Sequence, residues 1–380
     1  MYPTTTRNRT PHAARKGKKM ARISRVLFTL LLLTFGFASL TSEARADAPS
    51  VIRIGYPGVG IGNRPASFGN AIATLHLRGL LEDEFKKDGI KVQWTFLRGA
   101  GPAVNELFAN GLLDFSHLGD LPSVVGRASA LKYKVLGSSG VRGNIYVSVT
   151  ADSAVKNLKE LRGKKVAVQK GTSTHLAALK ILESAGLGEK DVRLINMDTN
   201  TAKSAIITKD IDAAFGLADY LALQDQGVTR VIFTTKGGDA KLTSNGLFLG
   251  SDDFIHKYPE ITKRVVKNFV LAAKWLADNE KEPQPIFQLW TKSGNSFSSF
   301  KRDWQGENIK YRTSPLVDAY VASRYKLQID EAKRLGLTKK TFSFEDWVDR
   351  SFLDQALKEL NLEGFWQPRD LTGNPTPGKS

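Results

Sequence analysis

Cysteine is absent from all 380 residues. That excludes a disulfide framework, a thiol nucleophile and a thiolate metal site. Histidine is scarce, and the five (His12, His76, His117, His175, His256) lie far apart without ligand spacing, so neither a metal nor a cofactor is expected. Acids are in deficit, 38 Asp/Glu against 55 Lys/Arg, for a net charge of +17. The positives are interspersed with acids rather than gathered in one stripe, which argues against a nucleic-acid partner. A field of that sign does attract small anions. Long apolar runs are also missing, with one exception near the start.

That exception is residues 26–40 (VLFTLLLLTFGFASL). It is shorter than the ~20 residues of a membrane span. Basic residues precede it (Arg15, Lys16, Lys18, Lys19, Arg22, Arg25), and Ala44-Arg45-Ala46 follows as a small-x-small cleavage signal. This is the three-part layout of a secretory signal peptide over residues 1–46, with Met20 as an alternative start to Met1. Cleavage leaves 46 Lys/Arg against 37 Asp/Glu, a net of +9, on a chain long enough for two lobes with their own cores. Without a cysteine at the cleavage site there is no lipid anchor, so the expected location is free in the periplasm.

Strand and helix patterns alternate along the mature chain, which predicts an α/β fold. Strands are expected over residues 51–56, 91–96, 112–118, 135–139 and 145–150, the last two separated by a turn over 140–144. The pattern restarts after residue 150, with a helix over 153–161 and strands over 165–169, 192–196, 212–215, 230–233 and 247–250. Helices are predicted over 70–81, 201–209, 258–279, 318–323, 329–335 and 344–360. Two βαβα halves with two strand-like crossings imply a hinged pair of lobes around a cleft: residues 47–146 and 247–368 in lobe 1, 147–246 in lobe 2. The Pro/Gly/Thr-rich stretch 369–380 reads as a disordered tail.

The most informative stretch is Gly163-Lys164-Lys165-Val166-Ala167-Val168-Gln169-Lys170-Gly171-Thr172-Ser173-Thr174-His175, a short buried strand running into a Gly-Thr-Ser turn that opens a helix. Unpaired N–H groups of a first helical turn, with the helix dipole behind them, bind anions without a counter-charge. Arg98-Gly99-Ala100-Gly101-Pro102 and Gly119-Asp120-Leu121-Pro122 offer comparable starts in the other half, and Gly216 to Tyr220 a fourth. In open α/β sheets ligands sit where such starts converge. Gly58-x-Gly60-x-Gly62 lacks the G-x-G-x-x-G spacing and the later acid of a dinucleotide site.

The segment Val166 to His175 resembles the corresponding segment of periplasmic aliphatic-sulfonate-binding proteins of ABC importers. The stretch from Gly101-Pro102 through Gly111-x-x-Asp114 to Gly119-Asp120-x-Pro122 is similar too, as is Lys159-x-Leu161-x-Gly163-Lys164. The likeness covers residues 51–250 with motifs and the helical remainder more loosely. It implies a two-lobed type II periplasmic-binding-protein fold that captures a small organic anion, an alkanesulfonate first, and hands it to a membrane permease as a monomer without catalysis. Receptors for nitrate, taurine or a sulfate or phosphonate ester share the shape and are the alternatives. An enzyme of the thiamine-precursor-synthase type is more distant, since those carry a Cys-rich iron motif. The loop from Gly58 to Gly69 is longer than the family's short turn, and Gly216-Leu217-Ala218-Asp219-Tyr220 replaces an aromatic-rich one. Both lie where the organic part of the ligand should rest.

Candidate ligand residues are Asn63, Arg64, Gly101, Pro102, Asp120, Leu121, Gly171, Thr172, Ser173, Thr174, His175 and Asp219. Each has a plainer alternative. One hydroxyl among Thr172, Ser173 and Thr174 is accounted for by simple N-capping. Asp120 reads as an N-cap rather than an acid catalyst, because no second carboxylate is placed beside it. His175 can equally be a packed surface histidine. Arg64 can face an acidic ligand group or sit in a solvated loop.

Overall fold

A computed structural model describes residues 48–66 and 68–376. The expected signal peptide and the last four residues of the expected tail lie outside them. Within them the chain builds two five-stranded sheets of matching topology, ordered β2-β1-β3-β10-β4 and β7-β6-β8-β5-β9. In the first, β1 (Val51–Tyr56) lies parallel to β2 (Lys91–Phe96) and β3 (Phe115–Gly119), while β10 (Ser244–Ser251) runs antiparallel between β3 and β4 (Tyr133–Gly143). In the second, β6 (Lys165–Val168) lies parallel to β7 (Arg193–Asn196) and β8 (Ala213–Gly216). There β5 (Tyr146–Thr150) runs antiparallel between β8 and β9 (Thr229–Thr234). The chain therefore crosses between the sheets twice, once from β4 to β5 and once from β9 to β10. The α/β, two-lobed architecture read from the alternation is present.

Local departures have local causes. The strand expected to stop at residue 139 continues through Gly140 to Gly143, because β10 follows β4 along that length with register shifts at β-bulges. The helix expected over 70–81 splits into Ala71–Leu77 and Leu80–Phe85. The one expected over 153–161 shrinks to a single 3₁₀ turn, Leu158–Leu161, capped by Asn157. Two predicted C-terminal helices merge into Ala319–Arg334. The 344–360 helix is interrupted where Val348 bridges to Val135, leaving Ser351–Glu359. Four helices of the described residues went unread, Asp252–Lys257, Gln284–Trp290, Phe297–Trp304 and Ile309–Arg312. They are short, so no long apolar period announces them.

Their aromatics nonetheless build core. Trp290, Phe300 and Trp304 join Ile52, Ile54, Tyr56 and Phe269 in the largest cluster, under the long helix Pro259–Asp278. Trp290 also donates its indole N–H to Thr74 at 3.0 Å, which settles its one polar atom inside the core. The second lobe has its own cores around Val147, Ile181 and Phe215 and around Ile206 and Tyr220.

The expectation of a disordered tail from residue 369 is corrected over residues 369–376. Arg369 and Asp318 form a buried ion pair, 2.6 Å apart with both side chains almost wholly enclosed, and the guanidinium also lies over Tyr311 and Tyr320. The Asp370 carboxylate then accepts N–H bonds from Thr372, Gly373 and Asn374, which closes a tight turn against those rings. Composition predicted a loose end because Pro and Gly carry no record of the partner that Arg369 finds. Among the described residues no helix is long and apolar enough to cross a membrane, and no three His, Cys, Asp or Glu side chains are grouped to hold a metal.

Candidate functional site

Between the sheets lies a cleft of about 240 Å³. The ends of helices from both lobes border it. The first lobe contributes Asn70, Ala100 and Gly101, and Gly119; the second contributes Thr172 to Thr174, Asp198 to Asn200, and Gly216 to Asp219. These are the starts of helices that follow strand ends, brought from two lobes to the border of one cleft.

Of the twelve residues chosen from sequence, Gly101, Thr172, Ser173, Thr174 and Asp219 border the cleft. Thr172 is the N-cap of the helix Ser173–Ser184: its hydroxyl oxygen accepts from the His175 N–H and its proton goes to the Gln169 carbonyl, 2.7 Å away. The capping alternative therefore holds for its side chain. Ser173 lies over Gly119 of the other lobe, with its hydroxyl buried near the Asp120 carboxylate but without a hydrogen-bond partner of standard geometry. Asp219 is paired with Lys203 at 2.9 Å.

The other seven do not border it, each for a visible reason. The Asp120 carboxylate turns inward and accepts from the N–H groups of Leu121 and Asn245 and from the Gln328 amide; burial pushes its pKa up. Leu121 is core. His175 is buried behind its turn, where Nδ1 accepts from the Gly171 N–H and burial lowers its pKa. Pro102 and Gly171 meet each other across the lobe boundary, and Gly171 has φ 77. Asn63 and Arg64 are exposed in the long loop, where Asn63 accepts from Arg98 at 2.5 Å.

Sequence reasoning missed the residues at the centre. His117 on β3 and Ser139 on β4 are both buried, and His117 Nδ1 sits 2.6 Å from the Ser139 hydroxyl. Strand β10 runs between them, and the contact passes over Gly246. A Cβ there would lie 2.5 Å from the imidazole and 2.7 Å from the hydroxyl. Tyr56 and Phe68 pack on the same ring at 5.7 and 5.5 Å. Burial drives the His117 pKa down to about 3, so the ring is neutral at physiological pH and acts as a hydrogen-bonding group rather than a cation. Strand order makes this pair, and a linear reading has no signal for it.

Arg312 was missed as well. It ends the short helix Ile309–Arg312, holds its guanidinium over the Trp304 ring at 3.8 Å and borders the cleft. Nearby, Asp303 accepts from the Tyr146 hydroxyl at 2.8 Å and from the Asn144 amide at 2.9 Å.

The lobes also touch along the cleft's rims. Gln169 donates to the Arg98 carbonyl at 3.0 Å, Arg334 forks onto Glu183 at 2.7 and 3.0 Å, and Arg302 and Ser298 both hold Asp225.

Two matching α/β lobes, joined by two crossings around a cleft lined with helix starts, define the two-lobed periplasmic-binding-protein class. The chain belongs to the NMT1/THI5-like family, whose model matches residues 84–283. It is 30% identical over 292 residues to a protein of Bacillus subtilis (strain 168) named as an aliphatic sulfonates-binding protein, a match over 76% of this chain and 85% of that one. Among solved structures it is similar to the periplasmic sulfonate-binding protein SsuA from Methylobacillus flagellatus KT. That likeness has a TM-score of 0.70 at 30% identity, over 85% of this chain and 98% of the other. A cysteine-to-serine variant of the enzyme DSZB, in complex with biphenyl-2-sulfinic acid, shares the fold alone. It aligns at 16% identity with a TM-score of 0.64, over 81% of this chain and 99% of that one.

Proposed function

We propose that this chain is the solute-binding component of an ABC importer: a monomer in the periplasm that captures an aliphatic sulfonate and delivers it to an inner-membrane permease. Residues 47–146 with 247–368 and residues 147–246 act as the two bodies that close on the solute. The observation that carries the reading is the convergence of helix starts from both lobes on one cleft, which Gly101 and Gly119 border from the first lobe and Ser173 and Thr174 from the second. Such starts stabilise a compact oxyanion through N–H donors. Hydrogen bonds to a charged group contribute about 1.5–3 kcal/mol each, so three or four reach micromolar affinity after ordering costs. The neutral His117 adds a polar contact without adding charge.

Size separates the alternatives. The cleft, at about 240 Å³, is several times what nitrate occupies. Apolar side chains on its wall, Phe68, Val141, Phe215 and Leu217 among them, suit an organic chain. No catalytic step is proposed. The solved DSZB variant replaces a cysteine, and this chain has none to offer.

A thermal-shift panel on the chain from residue 47 tests the reading. Alkanesulfonates at about a hundred times their Kd should stabilise the protein by about 2.7 kcal/mol, while nitrate at the same concentration leaves Tm unchanged. A response to nitrate alone would overturn it. Ser173→Ala should weaken alkanesulfonate binding about tenfold in calorimetry without lowering the Tm of the free protein by more than a few degrees. Unchanged affinity removes Ser173 from the site.

A further inference from the structure

We propose that the cleft has a second pole, at Arg312, which selects sulfonates carrying an oxygen acceptor at their far end over those ending in a methyl or an ammonium group. This rests on the sulfonate reading above and adds the chemistry of the tail.

Arg312 is 4% exposed. Its Nε and Nη1 are buried and have no hydrogen-bond partner. The closest carboxylate, Glu307, stands 3.8 Å away, too far to accept a hydrogen bond. Asp303 is committed to Tyr146 and Asn144. Lys236, the other cation of this neighbourhood, donates to the Arg302 carbonyl. Lys236 and Arg312 thus balance Asp303 and Glu307 in charge, yet Arg312 still has N–H groups with nothing to receive them. Buried donors left unmade are costly, more so on a charged group. A guanidinium held over the Trp304 ring and almost wholly enclosed cannot swing away to find an acceptor. The missing partner is an acceptor supplied from the cleft that Arg312 borders.

Its place in the fold separates it from the sulfonate end. Helix starts fed by β3 and β6 lie on inner strands of the two sheets, whereas the Arg312 carbonyl abuts Gly140 on the edge strand β4. Two strand spacings separate β3 from β4, roughly 10 Å. A short chain with a sulfonate at one end and a hydroxyl, carbonyl or carboxylate oxygen at the other spans that interval. An alkyl end leaves the donors unmade. An ammonium end brings more donors and a like charge.

Calorimetry on the whole mature chain with length-matched ω-methyl, ω-amino, ω-hydroxy and ω-carboxy alkanesulfonates tests this. The hydroxy and carboxy compounds should bind at least tenfold tighter than the methyl and amino ones. Arg312→Met should erase that preference while holding the ω-methyl compound within about threefold, and Arg312→Lys should restore part of it. Equal binding of all four tails by the native protein overturns the second pole and leaves the sulfonate reading intact. An Arg312→Met variant that loses all four equally also overturns it, because Arg312 then serves the common head or the fold. Failure of every sulfonate to bind removes both.

Discussion

Valine at position 246 is expected to abolish solute binding and to destabilise the protein by about 2–3 kcal/mol. Gly246 sits on β10 between β3 and β4, and its missing side chain is the space through which His117 and Ser139 meet. A Cβ 2.5 Å from the imidazole and 2.7 Å from the hydroxyl is well inside contact distance, and the packed side of the sheet leaves the imidazole only the cleft to move into. His117 is held by Tyr56 and Phe68, and both Ser139 and His117 are anchored in strands. The ring must therefore swing into the cleft, where it takes solute volume. Calorimetry with an alkanesulfonate and a urea melt read the two effects separately. Binding within threefold of the native protein would show that the pair is dispensable. Ser139→Ala is the matched control: it removes one hydrogen bond without adding bulk, so a loss of about 1 kcal/mol in stability is expected.

The second large effect lies at the C-terminus. Arg369→Ala leaves the Asp318 carboxylate enclosed without its counter-ion, and breaking such a pair costs about 3–5 kcal/mol. Asp318 also caps the helix Ala319–Arg334 by accepting from the Val321 N–H, so the damage reaches a helix that carries Gln328 toward Asp120. The double change Arg369→Met with Asp318→Leu should recover most of the loss, because two apolar groups need no partner. Urea denaturation of the two variants decides it. An Arg369→Ala protein within 1 kcal/mol of the native one would mean the pair is solvated and the end only loosely attached.

Much of this protein is legible in its sequence, and the division between what is and what is not follows range. The strands Val51–Tyr56 and Lys91–Phe96 coincide with their apolar patterns because β-branched and aromatic runs between turn signals are local information. The turn at Gly171 to Thr174 was readable as a helix start on the cleft for the same reason. The inward turn of Asp120 was not, because its partners Asn245 and Gln328 come from more than a hundred residues away. His117 and Ser139 meet only because β10 is inserted between their strands. Arg312 is one of 55 basic residues, and nothing beside it in the chain marks it as lacking an acceptor. In each case the missing information was which distant segment comes to lie alongside.

That same insertion governs the order in which the chain can become a protein. Strands β3 and β4 are not paired with each other; β10 joins them, and it arrives only after the whole of the second sheet has been laid down. A nascent chain ending anywhere before residue 244 has a first lobe split down the middle, with two raw edges and no means to seal them. The amino-terminal lobe therefore cannot mature ahead of its companion. The first half stays open until the last strand is delivered.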